Sequence, residues 1–229
     1  MRRAIATTFR KLLGRSDYTH WSSLSTHSSK WDTRTQKLAQ LIPPNSTVIE
    51  FGAGRLMLRD MLPEGCSYTP SDLVDRGYNT IVLDLNAKCL PTLARYDVAV
   101  FSGVFEYVID VPRLVRYLGD FAGNVICSYA VVELNQRGRR EQGWVNDYTS
   151  GKFVSLFTSL GFDYRFGQRW KAQMLYGFRN KTSNSAKHLH LTTPAPAVTR
   201  FCISQRPPGS NRSCTTLHPS LARSTSFPG

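Results

Sequence analysis

The chain reads as an α/β protein with a largely parallel sheet, and three observations carry that reading. Short apolar runs of strand length alternate with segments whose apolar residues recur at helical spacing. The first of these strands ends in closely spaced glycines, and each of the next two ends in an acid. The last two candidate strands lie close enough to pair as an antiparallel hairpin.

Residues 1–15 place Ile5, Phe9, Leu12 and Leu13 at helical spacing among five basic residues and no acid. They suit either a short amphipathic helix for a membrane surface or partner, or a frayed basic extension, and the extension is the simpler reading. With the Ser/Thr/His-rich stretch that follows, 1–30 reads as a basic, loop-rich extension. A helix over 31–41 ends at Pro43-Pro44, which cannot continue it. Strands are predicted at Thr47–Phe51, Ser67–Leu73, Thr80–Leu85, Tyr96–Phe101 and Asn124–Val132. Helices are predicted at Leu56–Leu62, which Pro63 stops, at Val111–Phe121, and over 150–160. Phe162–Phe166 and Met174–Phe178 form the hairpin. The domain therefore spans 31–180. Residues 181–229 are Ser, Thr, Pro and Arg with few large apolar residues, and read as a disordered basic tail.

At 229 residues the chain suits one domain with tails. Of the net charge of +13, five units lie in 1–15 and six in 181–229, so the body is nearly neutral. A nucleic-acid-binding domain carries its basic footprint on the fold, so no specific nucleic acid is expected. The basic ends suit weak contact with RNA or anionic lipid at most. No apolar run approaches the roughly 18 residues of a membrane span. The N-terminus lacks the apolar core and cleavage site of a secretory signal. The five cysteines are scattered without a CxxC, so neither a metal site nor a disulfide framework is indicated. A reducing, cytoplasmic setting follows by default.

In an open parallel sheet the ligand sits beyond the carboxyl ends of the strands. Glu50-Phe51-Gly52-Ala53-Gly54 ends the first strand with glycines that let backbone approach a ligand. About twenty residues on, Asp72 stands where an acid accepts from ribose hydroxyls. Asp84, in Val82-Leu83-Asp84-Leu85-Asn86, tips the third strand and is able to accept from an adenine amino group. The order glycines, acid, acid favours a nucleoside ligand over a plain turn with two solvated aspartates.

With these residues the chain resembles the class I, Rossmann-like S-adenosylmethionine-dependent methyltransferases, in particular small bacterial methyltransferase-domain proteins, over about Trp31–Arg179. The resemblance implies a three-layer sandwich with a mostly parallel seven-stranded sheet and a terminal antiparallel hairpin, with S-adenosylmethionine as cofactor. It implies that Glu50 holds the glycine loop and approaches the methionine amino group, and that Gly52 and Gly54 pass under the cofactor. Asp72 matches the ribose acid and Asp84 the adenine-side acid, with Leu85 packing beside the ring. Tyr96–Tyr107 is similar to the family's fourth motif, whose strand reaches the methionine end, and puts Ser102 among the cofactor-binding positions. Two departures stand out. The usual glycine two residues after Gly54 is Leu56, and the eight residues between Asp72 and Ile81 are short for a parallel crossover of a dozen or more.

Methyl transfer is an in-line displacement in which the protein aligns and desolvates the acceptor. Residues 28–187 hold no histidine, so a histidine base must be His20 or His27. Glu106, just past the fourth strand, is the candidate catalytic residue, to orient or deprotonate an acceptor. The other reading of Glu106 is an acid facing a helix N-terminus or solvent. Arg137, Arg139, Arg140 and Trp144 either shape a pocket for an acidic acceptor or form a solvated loop. Tyr18, Trp21 and Trp31 either lid the cofactor or pack the first helix. The functional expectation is methyl transfer to a small-molecule or glycan-type acceptor. A catalytically inactive methyltransferase-like scaffold or interaction module is the alternative. An NAD(P)-dependent oxidoreductase is disfavoured, because no third glycine stands at Met57 and too little chain remains for a substrate domain.

Overall fold

The computed structural model describes residues 2–184. The chain opens with α1 (Arg2–Leu12) and α2 (Tyr18–Ser22), followed by two 3-10 turns, Leu24–Thr26 and Ser29–Trp31, and α3 (Asp32–Ala39). The sheet is built from β1 (Thr47–Phe51), β2 (Ser67–Asp72), β3 (Ile81–Val82), β4 (Tyr96–Phe101), β5 (Ala122–Tyr129), β6 (Phe162–Trp170) and β7 (Gln173–Asn180). α4 (Val111–Phe121) joins β4 to β5, and α5 (Ser150–Ser159) precedes β6. The strand order is β3-β2-β1-β4-β5-β7-β6, with β7 antiparallel to both neighbours and the rest parallel. The predicted fold class is the observed one.

Alternation in the strands sets the two faces. Ile49, Phe51, Ala99 and Phe101 point to one side and pack with Val111, Leu114, Val115 and Leu118 of α4 and Phe153 and Phe157 of α5. Val48, Val98 and Val100 point to the other, against Leu38 and Ala39 of α3 and against Leu58. α4 starts as its sequence requires: Asp110 caps the Arg113 N–H at 2.9 Å and Pro112 sits in the first turn.

Three predicted elements come out differently. Leu56–Leu62 is not an α-helix but a run of turns with one 3-10 turn, Arg59–Met61. Leu56 stands at φ +59°, the left-handed region, and its N–H closes a turn onto the Ala53 carbonyl at 2.8 Å. The residue in the family's glycine position thus keeps a glycine-like backbone at a steric cost for leucine. Thr80–Leu85 shortens to Ile81–Val82, because the chain leaves the sheet to turn at Asp84, whose Oδ1 accepts the Asn86 N–H at 2.8 Å. The β2–β3 crossover has no helix. Residues 1–15, read as a frayed extension, hold the helix α1 instead, for polar partners described below. Of the tail, Lys181–Asn184 is a 3-10 turn, and the disorder expected for the rest lies outside the described residues.

Candidate functional site

The carboxyl ends of β1–β4 open into a cavity of about 240 Å³. It forms where the strand order reverses, between β1 and β4. Glu50, Gly52, Gly54, Asp72, Asp84, Leu85, Ser102 and Glu106 all line it, so the structure brings these eight positions to one place. The segment 16–31 closes it from above, with Trp21, His27 and Trp31 on its wall.

The loop after β1 needs its glycines. Gly52 and Gly54 stand at φ +67° and +51°. A Cβ at Gly54 would lie 2.6 Å from the His27 ring, and one at Gly52 2.7 Å from a methyl of Val104. The loop is fastened by Asp72 rather than by Glu50: the Gly54 N–H donates to Asp72 Oδ2 at 2.8 Å. The other oxygen of Asp72 accepts from Arg76 at 3.2 Å, and both side chains are buried. Arg76 continues upward and donates to the carbonyls of Trp21 and Ser22, the latter at 2.9 Å. Glu50 is buried and accepts the Tyr68 hydroxyl at 2.6 Å. Burial pushes its pKa up to about 8; the Tyr68 hydrogen bond opposes that shift and the nearby Asp72 adds to it. Asp84 Oδ1 accepts from Ser16 at 2.6 Å, and Asn86 donates to the same Ser16 hydroxyl at 2.8 Å.

At the tip of β4 the arrangement changes. The hydroxyl of Ser102 is taken by α3: Arg34 Nε donates to it at 3.1 Å and Thr35 lies 3.0 Å away. Arg34 also donates to the Ser102 carbonyl at 2.9 Å and to Gln173 at 3.2 Å. A Cβ at Gly103 (φ +69°) would strike the guanidinium of Arg34. Glu106 is fully buried in the turn Phe105–Tyr107, and its Oε1 accepts the Ala130 N–H at 2.8 Å. Its Oε2 has no hydrogen-bond partner among the described residues. Burial raises the pKa of this carboxyl, with Arg34 and Arg139 pulling the other way. Glu106 is therefore withdrawn from bulk solvent.

Of the two candidate histidines, His27 lines the cavity and His20 does not. Burial and the charge of Arg76 lower the pKa of His27 and keep its ring neutral. Trp21 packs edge-on against Tyr107 at 4.7 Å and against His27 at 5.7 Å, so the segment lies packed along the cavity wall. Arg139, read as pocket-shaping or solvated, is neither. It is buried and donates to the Ala130 carbonyl at 2.7 Å, the Tyr129 hydroxyl at 3.1 Å, the Asn146 carbonyl at 3.0 Å and Asp147 at 2.8 Å. Arg140 pairs with Asp147, while Arg137 is exposed. Arg34, Arg76 and Asn146 are absent from the sequence reading. Arg34 left a signal: it stands with Trp31, Thr35 and Leu38 on the buried face of α3, an arginine in an apolar row.

An open sheet with this strand order, a glycine turn at its switch point and acids at the next two tips defines a nucleoside-binding α/β enzyme class. The family model described as "Methyltransferase domain" matches residues 23–165, and the chain belongs to that family. Among solved structures it is similar to a chain of the complex between the Haloferax volcanii Trm112 methyltransferase activator and a methyltransferase, at 13% identity and TM-score 0.57, covering 72% of this chain and 98% of that one. It is also similar to CalO1, a methyltransferase of calicheamicin biosynthesis solved with S-adenosylhomocysteine, at 14% identity and TM-score 0.51, covering 78% and 67%. A third is NcsB1, an O-methyltransferase of neocarzinostatin biosynthesis solved with S-adenosylmethionine and a naphthoic acid, at 15% identity and TM-score 0.50, covering 75% and 63%. At these identities the likeness establishes the fold. No curated protein matches the chain in sequence.

Proposed function

We propose that the chain transfers a methyl group from S-adenosylmethionine to a small-molecule or glycan-type acceptor bound between Glu106 and the segment 16–31. One observation carries the reading: a single cavity joins the glycine turn and two strand-tip acids to a buried carboxylate with a free oxygen. Family membership supports the reaction type.

The residues present fit the cofactor. Gly52 and Gly54 line the cavity, and a Cβ at either would run into Val104 or His27 on its wall. Asp72 and Asp84 already hold protein donors, but a carboxylate offers about four acceptor positions, so each keeps capacity for a ligand hydroxyl or amino group. Asp72 would take the ribose hydroxyls, Asp84 with Leu85 the adenine, and Glu50 the methionine amino group, with Ser102 fixing the turn beneath. Bound S-adenosylmethionine supplies a methyl group activated on a sulfonium. The protein's share is alignment, exclusion of water by Trp21, His27 and Trp31, and proton handling at Glu106. Burial raises the pKa of the Glu106 carboxyl, which makes its ionised form a stronger acceptor for a proton from an acceptor hydroxyl or amine.

Calorimetry with S-adenosylhomocysteine tests the cofactor assignment: saturable binding is expected, lost in Asp72→Ala. An absence of binding at high protein concentration overturns it and leaves the scaffold reading. Tritium transfer from labelled cofactor to an acceptor panel then identifies the substrate.

A further inference from the structure

The helix α1 is turned inside out. Ile5, Phe9 and Leu12, at i, i+4 and i+7, share one face with Leu13. These four residues are 60%, 62%, 77% and 55% exposed, the most exposed apolar row in the described chain. Arg3, Thr7 and Arg10 lie at the same spacing on the opposite face, and that polar face meets the body. Thr7 is wholly buried. Arg3 donates to His20 at 3.2 Å, and Arg10 pairs with Asp17 at 2.7 Å. Packing therefore fixes which way the apolar row points, and it points away from the protein. An isolated surface leucine needs no explanation, but a four-residue row held outward by its own polar contacts does.

We propose that α1 docks the protein on the surface of a bilayer containing anionic lipid. Charge selects this occupant. Besides Arg3 and Arg10, which hold the helix to the body, residues 1–16 carry Arg2, Lys11 and Arg15 and no acid, which complements anionic headgroups. Eleven residues of helix span about 16 Å, too short to cross a bilayer, so the helix lies in the interface with its apolar row among the acyl chains. Arg10 and Arg15 also line the cavity, so the helix borders the mouth of the site by the face opposite its apolar row. The proposal does not depend on the methyl-transfer reading.

The test is co-sedimentation of the full chain with vesicles of 70% phosphatidylcholine and 30% phosphatidylglycerol, against pure phosphatidylcholine vesicles. Binding is expected to the anionic vesicles alone and to weaken steeply with salt. Phe9→Glu with Leu12→Glu removes about two buried apolar side chains' worth of insertion and should weaken binding by about tenfold or more. Both positions are exposed, and an unchanged melting temperature verifies the fold. No binding to anionic vesicles overturns the proposal. So does binding that survives the double substitution, which would place the contact in the basic tail. A dimer that the double substitution dissociates, without vesicle binding, overturns it in favour of a second copy.

Discussion

The two halves of the sheet's carboxyl edge hold their acids in opposite ways. At the tips of β2 and β3, Asp72 accepts from the Gly54 N–H and Arg76, Asp84 accepts from the Asn86 N–H and Ser16, and both open onto the cavity. Beyond β4 and β5 the polar groups hold one another inside the protein. Tyr129 donates to Asn146 at 2.6 Å, Asn146 donates to the Phe105 and Val108 carbonyls, and Arg139 ties Tyr129, Ala130 and Asn146 together. Glu106 joins that network through Ala130 and keeps one oxygen free. The first half is a set of adjustable acceptors suited to ligand affinity. The second is a buried network of mutual hydrogen bonds in which Glu106 keeps one oxygen without a partner among the described residues.

If that division is right, substitutions should separate cleanly. The largest effect is expected from Arg139→Leu, which strands three buried acceptors and should cost about 3–5 kcal/mol in urea denaturation. Below full unfolding, its affinity for S-adenosylhomocysteine should hold. Next, Glu106→Gln should lower kcat about a hundredfold while leaving cofactor affinity within about twofold. A parallel loss of cofactor binding would break the division. Asp72→Asn should do the reverse, weakening S-adenosylhomocysteine by about 1.5–2 kcal/mol in calorimetry through the loss of charge-assisted hydrogen bonds. The smallest effect concerns Glu50. Its folded pKa of about 8 lies above its ordinary 4.5, so the folded state binds the extra proton between those values. The associated stability is complete below pH 4.5 and is lost as pH rises to about 8. Glu50→Gln should flatten that slope and gain about 1 kcal/mol at pH 8, read by denaturation at pH 5 and pH 8.

The sequence displayed the sheet, α4 and the strand-tip acids because each obeys a local rule. Short apolar runs marked β1 and β4, an apolar helical stretch marked α4, and spacing placed Asp72 and Asp84. Failures came where a local pattern met a stronger demand. Leu56, Leu58, Met61 and Leu62 imitate a helix, but the left-handed backbone at Leu56 bends the chain away. Leu83 and Leu85 imitate strand positions, but the Asp84 turn ends β3 early. Residues 1–15 looked frayed because the partners that order α1, Asp17 and His20, lie outside the helix. Arg34 and Arg76 escaped notice because their contacts, Ser102 and Trp21–Ser22, lie 68 and some 55 residues away. Both work as buried cations bridging distant elements, and no local motif announces that role.

Arg76 has one further consequence. Because it spans from the Asp72 carboxylate to the carbonyls of Trp21 and Ser22, the charge on that carboxylate and the order of residues 21–22 form one equilibrium. Whatever draws on Asp72 changes the hold of Arg76 on those carbonyls, and whatever shifts them changes the charge balance at Asp72. Such a coupling is reciprocal by thermodynamic necessity. The segment 16–31 and the Asp72 carboxylate are thus held through one guanidinium, which stands between them.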